Sequence, residues 1–228
     1  MREIDRAAEE DYGISPLQLM EVAGLATARV ARRLIGSPLT GLRVSILTGP
    51  GNNGGDGLVA ARRLAGWGAR VTALTSYPPA EARGLSETQA RSAVRAGVVV
   101  REWQRQLDTP DLIIDALLGF GAHGAPRGAI AEMISASSGG ETAVLAVDLP
   151  SGLDADSGDA AIECVIASAT ITLALPKTGL LAPAAGKYVG RLFIADIGVP
   201  PALLAGHGID IAGLFERDDI VELEPGPI

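Results

Sequence analysis

Carboxylates and carboxamides at the ends of apolar runs, with glycines beside them, are the residues of this chain best placed for chemistry. Gly49-Pro-Gly-Asn-Asn-Gly-Gly-Asp-Gly57 sets Asn52, Asn53 and Asp56 at the amino end of an expected helix, whose free N–H groups suit anionic and oxygen-rich ligands. Asp115 closes a second apolar run and leads into Gly119-Phe120-Gly121-Ala122-His123-Gly124-Ala125, where glycines let backbone approach a ligand closely. Asp148-Leu-Pro-Ser151-Gly152 repeats the pattern, with a turn shaped by proline and glycine. A further run ends at Pro176-Lys177-Thr-Gly179 and adds a cation.

Asp148 is the foremost general acid or base, because desolvation at a strand end raises a carboxyl pKa toward neutrality unless a cation opposes it. Lys177 either balances a phosphate or substrate group, or is a surface lysine lying along apolar neighbours. His123 is an acid or base candidate set against polar loop surface, and Arg127 is read as structural. Asp154, Asp156 and Asp159 are read as solubilising loop residues. The first loop fits the letters G-x-G-x-x-G, but the dinucleotide fingerprint wants an acid about 20 positions on. That stretch is Ala73-Leu-Thr-Ser76, and no P-loop lysine is present. A plainer reading makes the loop a tight turn with Asp56 as a helix cap. Gly-x-Ser-x-Gly is absent and no histidine is near Ser151, so its oxygen is read as a ligand and not a nucleophile. His123 and His207 lie far apart with no cysteine near, so zinc is not expected.

The elements that must position these groups follow from periodicity. Strands are predicted at 43–48, 70–76, 98–101, 112–115, 143–148, 170–175 and 192–196; most are continuous apolar runs, as in parallel strands covered on both faces. Helices are predicted from Ser15-Pro16 onward, over 55–67, from a Ser86/Gln89 capping box through Ala96, and over 128–137. The alternation implies an α/β fold with a mainly parallel sheet, in which strand-end loops can line one crevice.

The 228 residues are 47% hydrophobic, enough for one sizeable core. A formal charge of −8 disfavours an electrostatic grip on nucleic acid or acidic lipid. The single Cys164 cannot form an internal disulfide, and neither a signal peptide nor an apolar run of about 18 residues is evident, so a cytoplasmic location is expected. From Pro200 the periodicity fades into Glu-Leu-Glu-Pro-Gly-Pro-Ile; residues 1–199 are read as the domain and 200–228 as a tail or linker remnant.

Met20-Glu21-Val-Ala23-Gly24, Gly51-Asn-Asn-Gly-Gly-Asp-Gly57, Asp115-Ala-Leu-Leu-Gly-Phe-Gly121, Asp148-Leu-Pro-Ser-Gly152, Pro176-Lys177-Thr-Gly179 and Asp196-Ile-Gly198, in that order, resemble the NAD(P)H-hydrate epimerase family, or YjeF N-terminal domain. The resemblance implies a Rossmann-like three-layer α/β/α fold, homodimerisation, and interconversion of the R and S forms of hydrated NADH and NADPH as metabolite repair. It implies substrate contacts at Asn52, Asn53, Gly54, Gly55 and Asp56, at Gly119, Phe120, Gly121, Ala122, His123, Gly124 and Ala125, and at Asp148. It further implies a potassium ion held by Asn53, Asp115 and Ser151, an all-oxygen set that suits a hard cation. Ala122-His123-Gly124-Ala125 departs from the bulkier apolar or basic residue expected there. A dehydratase, fused or separate, is the implied functional partner. The rival is a non-catalytic nucleotide-binding or dimerisation module of the same fold; retention of Asp56, Asp115 and Asp148 favours the enzyme, with Asp148 moving the proton and Lys177 in support.

Overall fold

The computed structural model describes residues 1–138 and 140–223. Eight strands form one sheet: β1 (Arg43–Thr48), β2 (Arg70–Thr75), β3 (Val99–Glu102), β4 (Leu112–Ala116), β5 (Ala143–Val147), β6 (Ala169–Leu173), β7 (Arg191–Ala195) and β8 (Ile220–Leu223). Their order is β3-β2-β1-β4-β5-β6-β7-β8, and only the β7–β8 pair is antiparallel. The helices are α1 (Arg2–Glu10), α2 (Pro16–Ile35), α3 (Asn52–Gly66), α4 (Gly84–Arg95), α5 (Gly128–Ser137), α6 (Gly186–Val189) and α7 (Pro201–Gly206).

Strand side chains alternate between two faces, and each face has its own core. Ile46, Leu112, Ile114 and Leu145 pack with Leu58 and Leu64 of α3 and Val30 of α2. Leu47, Ile113, Val144 and Ala146 pack with Met133 and Ile134 of α5. This is the three-layer arrangement expected from the apolar runs.

Helix α2 opens as its sequence suggests and adds a full capping box, Ser15 N–H donating to Gln18 Oε1 at 2.8 Å and Gln18 N–H to Ser15 Oγ at 3.4 Å. The Ser86/Gln89 capping box does not form, because α4 already starts at Gly84. Both residues are buried. Ser86 Oγ donates to Gly51 O at 3.1 Å, and Gln89 Nε2 donates to Glu21 Oε1 at 3.2 Å, so they tie α4 to α3 and α2 instead.

Two segments differ from the sequence expectation. Helix α1 was not anticipated; its only apolar residues are Ile4, Ala7 and Ala8, yet Ile4 and Ala8 sit in the main core. Residues 200–223 are not a loose tail or linker as far as the described chain runs. They supply α7, whose Leu203 and Leu204 are buried, and the edge strand β8, whose Glu222 forms a two-point ion pair with Arg191. Residues 224–228, the end of the expected tail, lie outside the described residues.

Candidate functional site

The strand order reverses between β1 and β4, the switch point where open α/β sheets bind ligands beyond their carboxyl ends. A cavity of about 560 Å³ lies there. The first turns of α3, which follows β1, reach it with Asn52, Asn53 and Asp56, and the loops after β4, β5 and β6 reach it with Gly119, Phe120, Gly121 and Ala122, with Asp148, and with Lys177. Helix α1 contributes Asp5, and α2 contributes Leu19, Met20 and Ala23.

The glycines of the first loop serve chain packing more than ligand approach. A Cβ on Gly49 would lie 1.8 Å from Leu117 O, and one on Gly54 2.0 Å from Gly49 O. Gly55 abuts the Met20 side chain, and Gly57 abuts Ala116. They let α3 start flush against β1 and the β4 loop, so Gly54 and Gly55 shape the cavity from behind without lining it. Asp56 does not cap α3: the cap residue is Gly51, and Asp56 lies within the helix.

Asp148 sits at φ 70, and Ala174, past the neighbouring strand, at φ 61. Each is the middle of a three-residue turn, closed by Leu149 N–H to Val147 O at 2.9 Å and by Leu175 N–H to Leu173 O at 2.7 Å. Such turns are rare and strained for residues with a Cβ. They fold two adjacent strand ends over the cavity and bring Lys177 back against the sheet. Its Nζ ion-pairs with Asp148 Oδ1, and donates to Thr172 Oγ1 at 3.2 Å and Leu173 O at 3.1 Å. Both side chains are 6% exposed, so the surface-lysine reading is replaced by a buried ion pair. Asp148 Oδ2 accepts from Phe120 N–H at 2.8 Å. With one oxygen on the lysine and the other on a backbone amide, Asp148 is anchored.

Asp56 is the opposite case. It is buried and faces the cavity, and its side chain has no hydrogen bond or ion pair among the described residues. Burial, then the nearby Asp148 charge, hold its carboxyl well above the usual range, against the opposing pull of Lys177. Asp5, which sequence reasoning missed, is likewise raised by burial and its side chain has no such partner. Only its place between Ile4 and Ala8 on a short, highly charged helix hinted that it faces inward.

Asp115 does not join the cavity wall, contrary to a common site for all three strand-end carboxylates. It is sealed behind the wall, accepting from Ser151 N–H at 2.8 Å, Ser151 Oγ–H at 2.7 Å and Leu117 N–H at 3.2 Å. Burial pushes its pKa up to about 6 although these donors oppose the rise. The Leu118 peptide links the expected cation ligands: its N–H donates to Ser151 Oγ at 2.9 Å, and its carbonyl accepts from Asn53 Nδ2 at 2.9 Å. Asn53 Oδ1 is left buried without a hydrogen-bond partner. An orphaned amide oxygen near a sealed carboxylate served only by neutral donors fits a hard monovalent cation.

The rest of the second loop stays outside. His123, Gly124 and Ala125 are exposed, and none lines the main cavity. Gly124 lines a smaller cavity of about 180 Å³, which shares Leu118, Gly119 and Ala122 with the first.

The family model for YjeF-related protein N-terminus matches residues 16–179. The chain belongs to this family. The NAD(P)H-hydrate epimerase of Dehalogenimonas lykanthroporepellens is 39% identical over 213 residues, covering 92% of this chain and 84% of that one. The epimerase of Pirellula staleyi is 39% identical, covering 89% and 92%. The bifunctional NAD(P)H-hydrate repair enzyme Nnr of Thermofilum pendens is 35% identical over 97% of this chain, which spans only 43% of that longer relative. The crystal structure of yeast YNL200c shares the fold, with a TM-score of 0.81 at 24% identity over 97% of this chain and 96% of that one.

Proposed function

We propose that the chain is an isomerase that interconverts the R and S forms of hydrated NADH and NADPH. The observation that carries this is the cavity at the strand-order switch, walled by the motif residues of a family whose full-length relatives are named for that activity. The rival, a non-catalytic module, is disfavoured by the names of these relatives and by a cavity that keeps Asp56, Asp148 and Lys177.

The Asn52–Asp56 turn and Gly119–Ala122 grip the nucleotide, while the Asp148–Lys177 pair fixes the local charge and holds the Phe120 amide. A potassium ion at Asn53, Asp115 and Ser151 neutralises the sealed carboxylate and stiffens the loop after β4. The protein acts in the cytoplasm as a homodimer, beside a dehydratase that is separate or fused as in the bifunctional relatives. No helix among the described residues is long and apolar enough to cross a membrane.

The test incubates purified protein with the R hydrate and follows the S form by chiral chromatography. Conversion well above the spontaneous rate is expected. A rate equal to the protein-free control removes the epimerase reading.

A further inference from the structure

The hydrated ring carries its hydroxyl on a carbon bonded to the ring nitrogen, and inverting that carbon by loss and re-addition makes two demands. A proton must reach the departing hydroxyl on one face, and another must leave the incoming water on the other. Three carboxyl groups face the cavity. Asp148 has both oxygens engaged, by Lys177 and by the Phe120 amide. Asp56 and Asp5 have no hydrogen bond or ion pair through their side chains among the described residues, and they come from different helices, α3 and α1.

Resting on the epimerase reading, we propose that Asp56 and Asp5 are the catalytic proton-transfer pair, one carboxyl for each face of the ring, with Asp148 positioning Lys177 and Phe120. The role that sequence gave to Asp148 thereby moves to its two unengaged neighbours. In one direction Asp56, protonated, gives its proton to the departing hydroxyl. The carbon–oxygen bond breaks with its electron pair on oxygen, water is released, and the ring-nitrogen lone pair forms a carbon–nitrogen double bond bearing the positive charge. A solvent water then adds to the opposite face. The new carbon–oxygen bond forms as the electron pair returns to nitrogen, and the surplus proton passes to the ionised Asp5. The reverse reaction exchanges the roles, and solvent exchange restores the starting protonation.

The surroundings suit both steps. The Asp56 carboxyl is held well above the usual range, chiefly by burial, and Asp5 is raised as well, so the two are displaced from their ordinary values in the cavity where they are needed. Three carboxyl groups set against Lys177 and the amino terminus leave acidic groups in excess in the cavity, which favours the cationic ring between the two steps.

The experiment measures R-to-S conversion of NADPH hydrate by the wild-type chain, Asp56→Asn and Asp5→Asn, with thermal unfolding of each. Both variants should melt cooperatively, keep KM within a few-fold, and lose about a hundredfold or more in kcat. Added formate should restore part of kcat in Asp56→Ala and Asp5→Ala by carrying the missing proton. Near-native kcat in either Asn variant overturns the pair, even where the wild type epimerises. An inactive wild type overturns the functional reading itself. If an Asn variant fails to melt cooperatively, the wild-type kcat profile decides. With Asp148, Lys177 and the amino terminus also facing the pair, a bell-shaped profile is expected, and a flat profile overturns the proposal.

Discussion

Asp115 and Asp148 end adjacent parallel strands with similar apolar approaches, yet they reach opposite environments. Asp115 continues the strand alternation, points into the layer beneath the β4 loop, and meets only neutral donors. Asp148 leaves the alternation at a left-handed turn, faces the cavity, and meets a buried lysine. A strand-end aspartate is thus a position and not a role. The next backbone angle, and whether a cation arrives, decide between a sealed ligand and a pocket wall.

The contrast is broken most forcefully at the ion pair. Asp148→Asn leaves the Lys177 ammonium buried without its counter-ion, which costs about 3–5 kcal/mol. Urea unfolding should show that loss, whereas Asp148→Asn combined with Lys177→Met should recover much of it, because the buried charge is gone. Equal losses in single and double variants would mean that the pair carries no special energy. Asp115→Ala is smaller: it orphans Ser151 N–H and Leu117 N–H for about 1–3 kcal/mol. It should also abolish any rise in Tm with added potassium chloride over sodium chloride, since an ion that binds only the folded state raises Tm by mass action. A potassium-dependent rise that survives Asp115→Ala places the cation elsewhere.

The smallest effect is a sign. Because the folded state holds the Asp56 proton to higher pH than the unfolded chain, its contribution to stability is full below the unfolded value. It is lost as pH rises toward the folded one. Asp56→Asn has no such loss. It should therefore melt above wild type at pH 8, with the gap closing toward pH 4. A gap that widens on acidification contradicts the carboxyl's burial.

The strands and the cavity's place were legible because continuous apolar runs and strand-end loops are local signals. The partners were not. Nothing in Pro176-Lys177 says that Lys177 turns inward; that depends on Ala174 at a positive φ, which alanine rarely adopts. Glycines that close a chain–chain contact, such as Gly49 on Leu117, spell the same letters as glycines that open room for a ligand. Asp5 was hidden because a nine-residue helix with so few apolar residues carries almost no periodic signal. The edge strand β8 was hidden because it is only four residues long, and it is held in place by Arg191–Glu222 and, just before it, by Arg33–Asp218 and Arg29–Asp219 pairs that only proximity reveals.

Asp5 and Ile197 line the same cavity. During synthesis the ribosome must release β7 and the residues just beyond it before that cavity has its walls, so a nascent or prematurely terminated chain has no receptor for a damaged cofactor. Occupancy in turn couples the earliest helix to the late strands. Substrate should slow proteolysis at both extremes of the described chain together, instead of guarding a single loop.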